Sequence, residues 1–587
     1  MTEGTFLHPS IAFFLGAAAL PWVRGRARGI YLILIPLLSG LMLALSAPGL
    51  HGIFSLFGRE LVLGRIDPLS RIFGVIFILM AEIGLIYGLH EKEKTGQAAA
   101  ALSYVGGALG VVFAGDYISV FIFSEVMAFS SVFLIWLKRD AASLAAGYRY
   151  ILMHLFGGVC LLGGVILRLA ETGSTVFEPT ASGGIGSLLI LIGFLVNAAV
   201  PPLSAWLSDA YPEATITGAV FLSAFTTKTA VYTLIRGYPG TEALVWLGAI
   251  MTIYGVVYAM LENDIRRLLA YHIISQVGFM VCGVGLGTEL AINGASAHAF
   301  AHILYKGLLF MGAGAVIQMT GKRKLSEMGG LYKTMPITMI LYLIAGFSIS
   351  AFPLFSGFVS KSMVISAAGE SHRPEIWLML TLASAGTFLS TTLKLPYAAF
   401  FGKDSGIRTT EPPKNMLFAM GLAAVLCIGI GIVPQTLYWL LPYPVDYHPY
   451  TAAHVMGALQ ALLATGVGFM LLLPRLHPEA TISLDTDWFY RKAGRGLLWL
   501  AAHPIARVDA LIGEVYLNLI LKPLERSVQW LWIFERRVVD GFVNGVATLT
   551  YGCALQLRRI QSGQLQHYAL VMIVGAFVIL AAYLIFL

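Results

Sequence analysis

The sequence predicts an all-α, polytopic membrane bundle of about sixteen transmembrane helices, two of them proline-broken within inverted repeats, plus a C-terminal lateral amphipathic helix. Three observations carry this. Of the 587 residues, 58% are hydrophobic and only 12% charged, with a mean hydropathy of +0.79; soluble domains carry roughly 25% charge, so a soluble fold is excluded. The apolar residues fall in runs of about 18 to 25, the length a helix needs to cross about 30 Å of hydrocarbon. Two of those runs are interrupted by proline in similar local texts.

The expected spans are 5–22, 29–48, 67–90, 98–115, 117–137, 146–170, 185–207, 217–236, 242–261, 268–287, 292–317, 335–365, 375–400, 415–437, 452–474 and 567–587. The first contains His8 and no A-x-A cleavage site, so it reads as a retained span. Basic residues test the order, since Lys and Arg concentrate in cytoplasmic loops. Arg24, Arg26 and Arg28 follow span one, Lys138, Arg139 and Arg149 follow span five, Arg266 and Arg267 follow span nine, and Lys322, Arg323 and Lys324 follow span eleven. These connections share one side, whereas loops 171–184 and 441–450 hold no Lys or Arg. Both termini are therefore expected on the non-cytoplasmic face of an inner (plasma) membrane.

Span seven reads GFLVNAAVPPLSAWLSDA, with Pro201 and Pro202; span twelve reads AGFSISAFPLFSGFVSKS, with Pro353 and Gly357. Proline removes a donor and clashes with the preceding turn. The segments PLSAWLSD and PLFSGFVSK start 151 residues apart, and paired broken helices in two halves point to an inverted repeat with its path near the midplane. Residues 481–566 combine many arginines with Trp488, Trp499, Trp530 and Trp532, and apolar residues recur there at helical spacing. This predicts an amphipathic helix along the membrane surface or along neighbouring spans, with a bend at Pro523. The organisation is thus a transmembrane core over 1–480, a lateral segment over 481–566 and a terminal span over 567–587.

The formal charge of +7 finds its natural partner in anionic headgroups, and no nucleic-acid reading is warranted. Cys160, Cys282, Cys427 and Cys553 are widely spaced and form no metal or cluster motif. No cofactor is expected, and any redox centre belongs to other chains.

Charges inside the spans are the informative residues. Glu125 lies mid-way along span five, Lys228 inside span eight, and His298, His302 and Lys306 recur every four residues in span eleven, on one helical face. Lys361 follows the break in span twelve and Lys394 sits in span thirteen. Each such group costs at least about 2.5–3.5 kcal/mol to insert, which points to a proton relay. Lys394, near the cytoplasmic end of its span, also suits a snorkelling lysine. The HxxxH pair does not read as zinc: position 299 is alanine, and Lys306 would repel a dication.

At these residues the chain resembles the proton-conducting membrane transporter family. The stretches SEVMAFSSVFLI, AWLSDAYPEA, TTKTAVYTLIR, DIRRLLAYHIISQVGFM, HAFAHILYKGLLF and FPLFSGFVSK carry the resemblance, over roughly residues 65–405. That family includes antiporter-like subunits of complex I and of membrane-bound hydrogenases, and the A and D members of Mrp-type sodium/proton antiporters. The resemblance implies a midplane axis: Glu125, Lys228, then His298, His302 and Lys306 as connecting relay, and Lys361 as exit-half lysine. It also implies a lysine in broken span seven, where this chain has Asn197. Asparagine orders water but carries no proton at neutral pH, so Lys228 is expected to pair with Glu125 instead. The implied function is ion translocation, of protons with or without sodium in exchange, inside a multi-subunit complex driven by redox chemistry in partner subunits, with no catalytic chemistry in this chain. The alternatives are a stand-alone Mrp-type antiporter and a non-transporting membrane scaffold.

Overall fold

Helices begin where a short polar side chain can take up free amides ahead of an apolar run. Asp67, Asp116 and Asp140 each accept from the backbone amide three residues on, at 2.7–2.8 Å, and Asp264, Thr215, Thr288 and Thr451 do the same for later helices. The computed structural model describes residues 7–56, 58–91, 95–180, 183–475 and 485–587, in two units, Met1–Trp488 and Phe489–Leu587.

In the first unit, α1 (Ser10–Ala19) and α2 (Arg26–Leu45) precede an antiparallel hairpin, β1 (Gly49–Leu56) and β2 (Arg59–Ile66), in register from Gly49↔Ile66 to Leu56↔Arg59. Then come α3 (Pro68–Gly88), α4 (Thr95–Phe113), α5 (Tyr117–Trp136) and α6 (Ala141–Thr172). Span seven divides into α7 (Ile185–Asn197) and α8 (Ala205–Ala210); span eight into α9 (Ile216–Ala224) and α10 (Thr226–Gly237). They are followed by α11 (Glu242–Leu261), α12 (Ile265–Leu286) and α13 (Glu289–Thr320). Span twelve divides into α14 (Pro336–Ile349) and α15 (Ser356–Glu370); α16 (Pro374–Thr387) continues through π-helical turns to Phe401. The unit closes with α17 (Lys414–Ile432), the short α18 (Gln435–Tyr438), α19 (Ala452–Leu472) and the start of α20 (Asp487–Leu500).

Among the described residues, thirteen helices are long and apolar enough to cross a membrane. The first, seventh and twelfth expected spans appear as shorter apolar helices: Ser10–Trp22, Ile185–Asn197 and Pro336–Ile349. The long α13 is the pillar of the bundle, packed against α3, α9, α12, α14, α15 and α17 and buried on all sides from Ala291 to Val316. A helix enclosed all round can hold polar groups only if the surrounding helices supply their environment.

The hairpin was not expected from the sequence, which left 49–66 between spans. It is tied to distant parts of the chain: Asp116 accepts from Val62 N at 2.8 Å, and the hairpin's own Arg59 and Arg65 donate to Gly173 O at 2.9 Å and Phe177 O at 3.0 Å.

In the second unit the helix runs on from Phe489 to Ile560, about 110 Å at 1.5 Å per residue, through α21 (Ala506–Tyr516), α22 (Lys522–Phe534) and α23 (Asp540–Ile560). After a turn, α24 (Leu565–Ile585) ends the chain. The helix is not interrupted at Pro523. A π-helical turn at Leu517–Leu521 precedes it, and another at Ala501–Ile505 contains Pro504; such turns redistribute the backbone bonds that a proline ring would obstruct. The helices of this unit bury none of their residues, leaving Trp530, Leu531 and Phe542 exposed.

Candidate functional site

Around the first break, α7 stops at Asn197, Ala199 takes a positive φ of 57°, and Pro201 and Pro202 lie in the non-helical stretch before α8. The carbonyl of Val196, which accepts from Ala199 N at 3.1 Å, also accepts from the indole of Trp206, Nε1 to O 3.0 Å. Asn197 Oδ1 accepts from Nδ1 of His154 on α6 at 2.7 Å. With that N–H engaged, Nε2 of His154 keeps its lone pair, is buried and has no partner among the described residues. Tyr150 and Trp206 hold the imidazole, with ring centroids at 4.2 and 4.6 Å.

Glu125 on α5 faces the same place. It lies over Gly158, one turn beyond His154; a Cβ at 158 would fall 2.1 Å from Glu125 Oε1, so glycine makes room for the carboxyl. Glu125, His154, Asn197 and Thr226 line a cavity of about 20 Å³, room for about one water.

The expected pairing of Glu125 with Lys228 is not formed. Among the described residues Glu125 has no ion pair, and Lys228 Nζ donates to Ser223 O at 2.6 Å. The physical reason is the interruption at Phe225 between α9 and α10, which presents the Ser223 carbonyl to the ammonium one turn on. Lys228 is instead in electrostatic reach of His298, His302 and Lys306.

Those three residues are brought together as their spacing predicts. His298 Nδ1 meets Ser360 Oγ at 3.2 Å, and its Nε2 meets the hydroxyl of Tyr305 at 3.4 Å. Both nitrogens of His302 and Nζ of Lys306 are buried without a partner among the described residues. At the second break, α14 ends at Ile349 and α15 starts at Ser356, with Pro353 between. Gly357 lets the halves touch, since a Cβ there would lie 1.7 Å from Ser348 O. Lys361 Nζ reaches back to cap the end of α14, donating to Ile349 O at 2.7 Å, and sits 4.9 Å over the ring of Phe279. A cleft of about 350 Å³ lined by Ser350, Ser362, Ser366, Thr381, Ser384 and His454 adjoins this break. Lys394 stands apart, its Nζ on the carbonyls of Met260 and Glu262 at the end of α11.

At the loops rich in Lys and Arg an ionic network ties several elements together. Lys138 meets Glu213 at 2.7 Å, Arg323 meets Glu213 at 3.0 Å and also Asp264, and Arg149 grips Asp209 of α8 through two bonds of 2.7 and 3.0 Å. A cleft of about 490 Å³ opens among them. Burial pulls the Glu213 carboxyl up, but Lys138 and Arg323 outweigh it and hold the group below its ordinary range. Its contribution to stability is thus present above the unfolded value near 4.3 and lost as pH falls through the lower folded value. Glu213→Gln is expected to destabilise the protein near pH 7 by about 1.5–3 kcal/mol. The difference from wild type should shrink below about pH 4, as thermal-shift scans across pH would read.

Sequence reasoning missed several groups. His154 and His272 are histidines inside apolar spans, and that alone is a signal; His272 Nε2 meets Ser390 Oγ at 2.7 Å. Glu82 is a carboxyl inside α3 whose Oε2 has no partner. Asp485, 4% exposed, accepts from the hydroxyls of Tyr254 and Tyr271, a contact that linear spacing could not announce.

Comparison with known proteins matches residues 114–390 to the family described as NADH:quinone oxidoreductase/Mrp antiporter, transmembrane. The chain is 31% identical over 376 residues to an Na(+)/H(+) antiporter subunit of Alkalihalophilus pseudofirmus, covering 59% of this chain and 75% of that protein. It is 28% identical over 563 residues to NADH-quinone oxidoreductase subunit L of Mycobacterium tuberculosis, covering 89% and 86%. Among solved structures, the Mrp complex of Dietzia sp. shares the fold at a TM-score of 0.72 and 24% identity, over 87% of this chain and 62% of that one.

Proposed function

Because the chain belongs to the NADH:quinone oxidoreductase/Mrp antiporter transmembrane family, we propose that it is an ion-translocating subunit in which Glu125 exchanges protons with His154 where relatives use a lysine. The observation that carries this reading is the shared one-water cavity: a carboxyl on one wall, an imidazole nitrogen with a free lone pair on the other, and Asn197 fixing the ring. A histidine there restores to the first half the titratable base that Asn197 took away.

The path starts at the ionic cleft beside α8, passes Glu125 and His154, and crosses Lys228 to His302, His298 and Lys306. It then reaches Lys361 and leaves along the cleft by the second break, past Ser350, Ser362 and Ser366. The groups from Lys228 to Lys361 are all bases with no carboxylate among them, and like charges repel in a low-dielectric interior. The cluster therefore holds fewer protons than it has bases, and the vacancies are what let protons move. We place the two breaks at corresponding positions of inverted repeats among sixteen crossings. Lys394, tied to backbone carbonyls at the end of α11, serves this path from its edge.

The energy source in this reading is redox chemistry in partner subunits. The near full-length likeness to a quinone oxidoreductase subunit supports it, as does the exposed apolar helix 489–560, a face for neighbouring membrane subunits. The identity to a sodium/proton antiporter component favours a second reading, exchange driven by an ion gradient. Replacing His154 by Leu in the assembled complex should cut proton flux into vesicles at least about a hundredfold, the scale carried by proton-transfer residues. Wild-type flux in that variant would remove His154 from the path.

A further inference from the structure

The transport path leaves one buried histidine unused. His272 lies about two turns into α12 from its cap Asp264 and is fully buried. It stands in electrostatic reach of Lys306 on α13, Lys361 on α15 and Lys394 on the π-helical continuation of α16, so bases from three elements surround one imidazole. Its Nε2 meets Ser390 Oγ at 2.7 Å, while its Nδ1 is buried without a partner among the described residues. A histidine kept for packing pairs both ring nitrogens, because a buried polar atom left unpaired is costly.

Ser390 belongs to the π-helical turn Phe388–Lys394, a kind of turn that frequently marks a functional site. Here it aims three side chains at three helices: Ser390 at α12, Thr392 at Gly346 O of α14 at 2.6 Å, and Lys394 at the end of α11. The Ser390 hydroxyl also lies 2.8 Å from Gly386 O, so its proton can turn between that carbonyl and the imidazole. Lys394 follows Ser390 by about one turn. Its Nζ rests on the carbonyls of Met260 and Glu262, and Glu262 lines the ionic cleft where the transport path starts. Gln276, one turn beyond His272, ties this seam to the axis: it donates to Thr387 Oγ1 at 3.3 Å and accepts at 3.4 Å from Tyr305, the residue that meets His298.

We infer, resting on the translocation reading above, that Lys394, Ser390 and His272 form a side arm carrying a proton from the ionic cleft to the second half of the relay. Lys394 gives its extra proton to Ser390 Oγ as that hydroxyl passes its own to His272 Nε2. The imidazolium so formed releases the proton on Nδ1 to the neutral amine of Lys306 or Lys361. Lys394 ends as an amine, the receiving lysine as an ammonium, and Ser390 and His272 keep their proton count. The arm loads the second half while Glu125 and His154 load the first, and coupled transport needs both.

The test is proton flux into vesicles, per assembled complex, with His272→Gln, Lys394→Met or both. Glutamine can still hydrogen-bond Ser390 but cannot relay a proton. Each single variant is expected to lose about a hundredfold in flux, and the double variant no more than the worse single, as members of one chain behave. Wild-type flux per complex in either single variant, or a double loss near the product of the two, would overturn the arm. Should His272→Gln fail to assemble, Lys394→Met, at the edge of the bundle, decides alone. His154→Leu in the same assay separates the two claims: flux lost there but kept in His272→Gln removes the arm only, whereas flux kept in all the variants removes the translocation reading itself.

Discussion

Glu125→Gln is expected to abolish coupled ion transport, by at least about a hundredfold, while the complex still assembles. The variant isolates the proton from every other property of the side chain. Glutamine has the same length and fits the space that Gly158 leaves for the carboxyl, and it can still hydrogen-bond across the small cavity. What it cannot do is bind and release a proton. Because Glu125 forms no ion pair among the described residues, no salt bridge is broken, and a loss of flux cannot be blamed on an orphaned partner charge. The measurement is proton or sodium flux in vesicles beside the partner-driven activity of the same preparation. Partner activity that persists without flux places the defect in translocation. Undiminished flux would leave Glu125 without a role.

Lys306→Met should separate activity from stability in the opposite sense to Glu213→Gln. Nζ of Lys306 is fully buried in α13 and has no hydrogen-bond partner among the described residues. Methionine is unbranched, similar in length and apolar, so it fills the site without a large cavity. Removing an unsatisfied buried polar group recovers about 1–3 kcal/mol, so the melting temperature should hold or rise. Transport should nonetheless fall by about a hundredfold or more, since the base linking the histidines to Lys361 is gone. A variant that lost stability and kept its flux would mark Lys306 as structural.

Much of the fold was legible because hydrocarbon imposes a length and a polarity on each helix, and thirteen of the expected segments coincide with helices that are long and apolar enough to cross a membrane among the described residues. The hairpin at 49–66 was not legible, because its anchors, Asp116 and the carbonyls of Gly173 and Phe177, lie in distant parts of the chain. In the candidate site, His298, His302 and Lys306 were legible since they share one helix face. The first-half arrangement was not, because residues 125, 154 and 197 come from three helices whose crossing no linear spacing encodes. His154, neither lysine nor arginine, also falls outside the residue types that usually answer a buried carboxylate.

The two interrupted spans end on different fasteners. Trp206 closes the end of α7 with an indole, a neutral donor whose grip is indifferent to proton traffic. Lys361 closes the end of α14 with an ammonium, which loses its charge when it gives up a proton. One joint is a rivet and the other a catch. Under the proposed relay, a cycle of charging and discharging acts mechanically at one joint only, and the backbone there reports each proton to its neighbours while the other stays still.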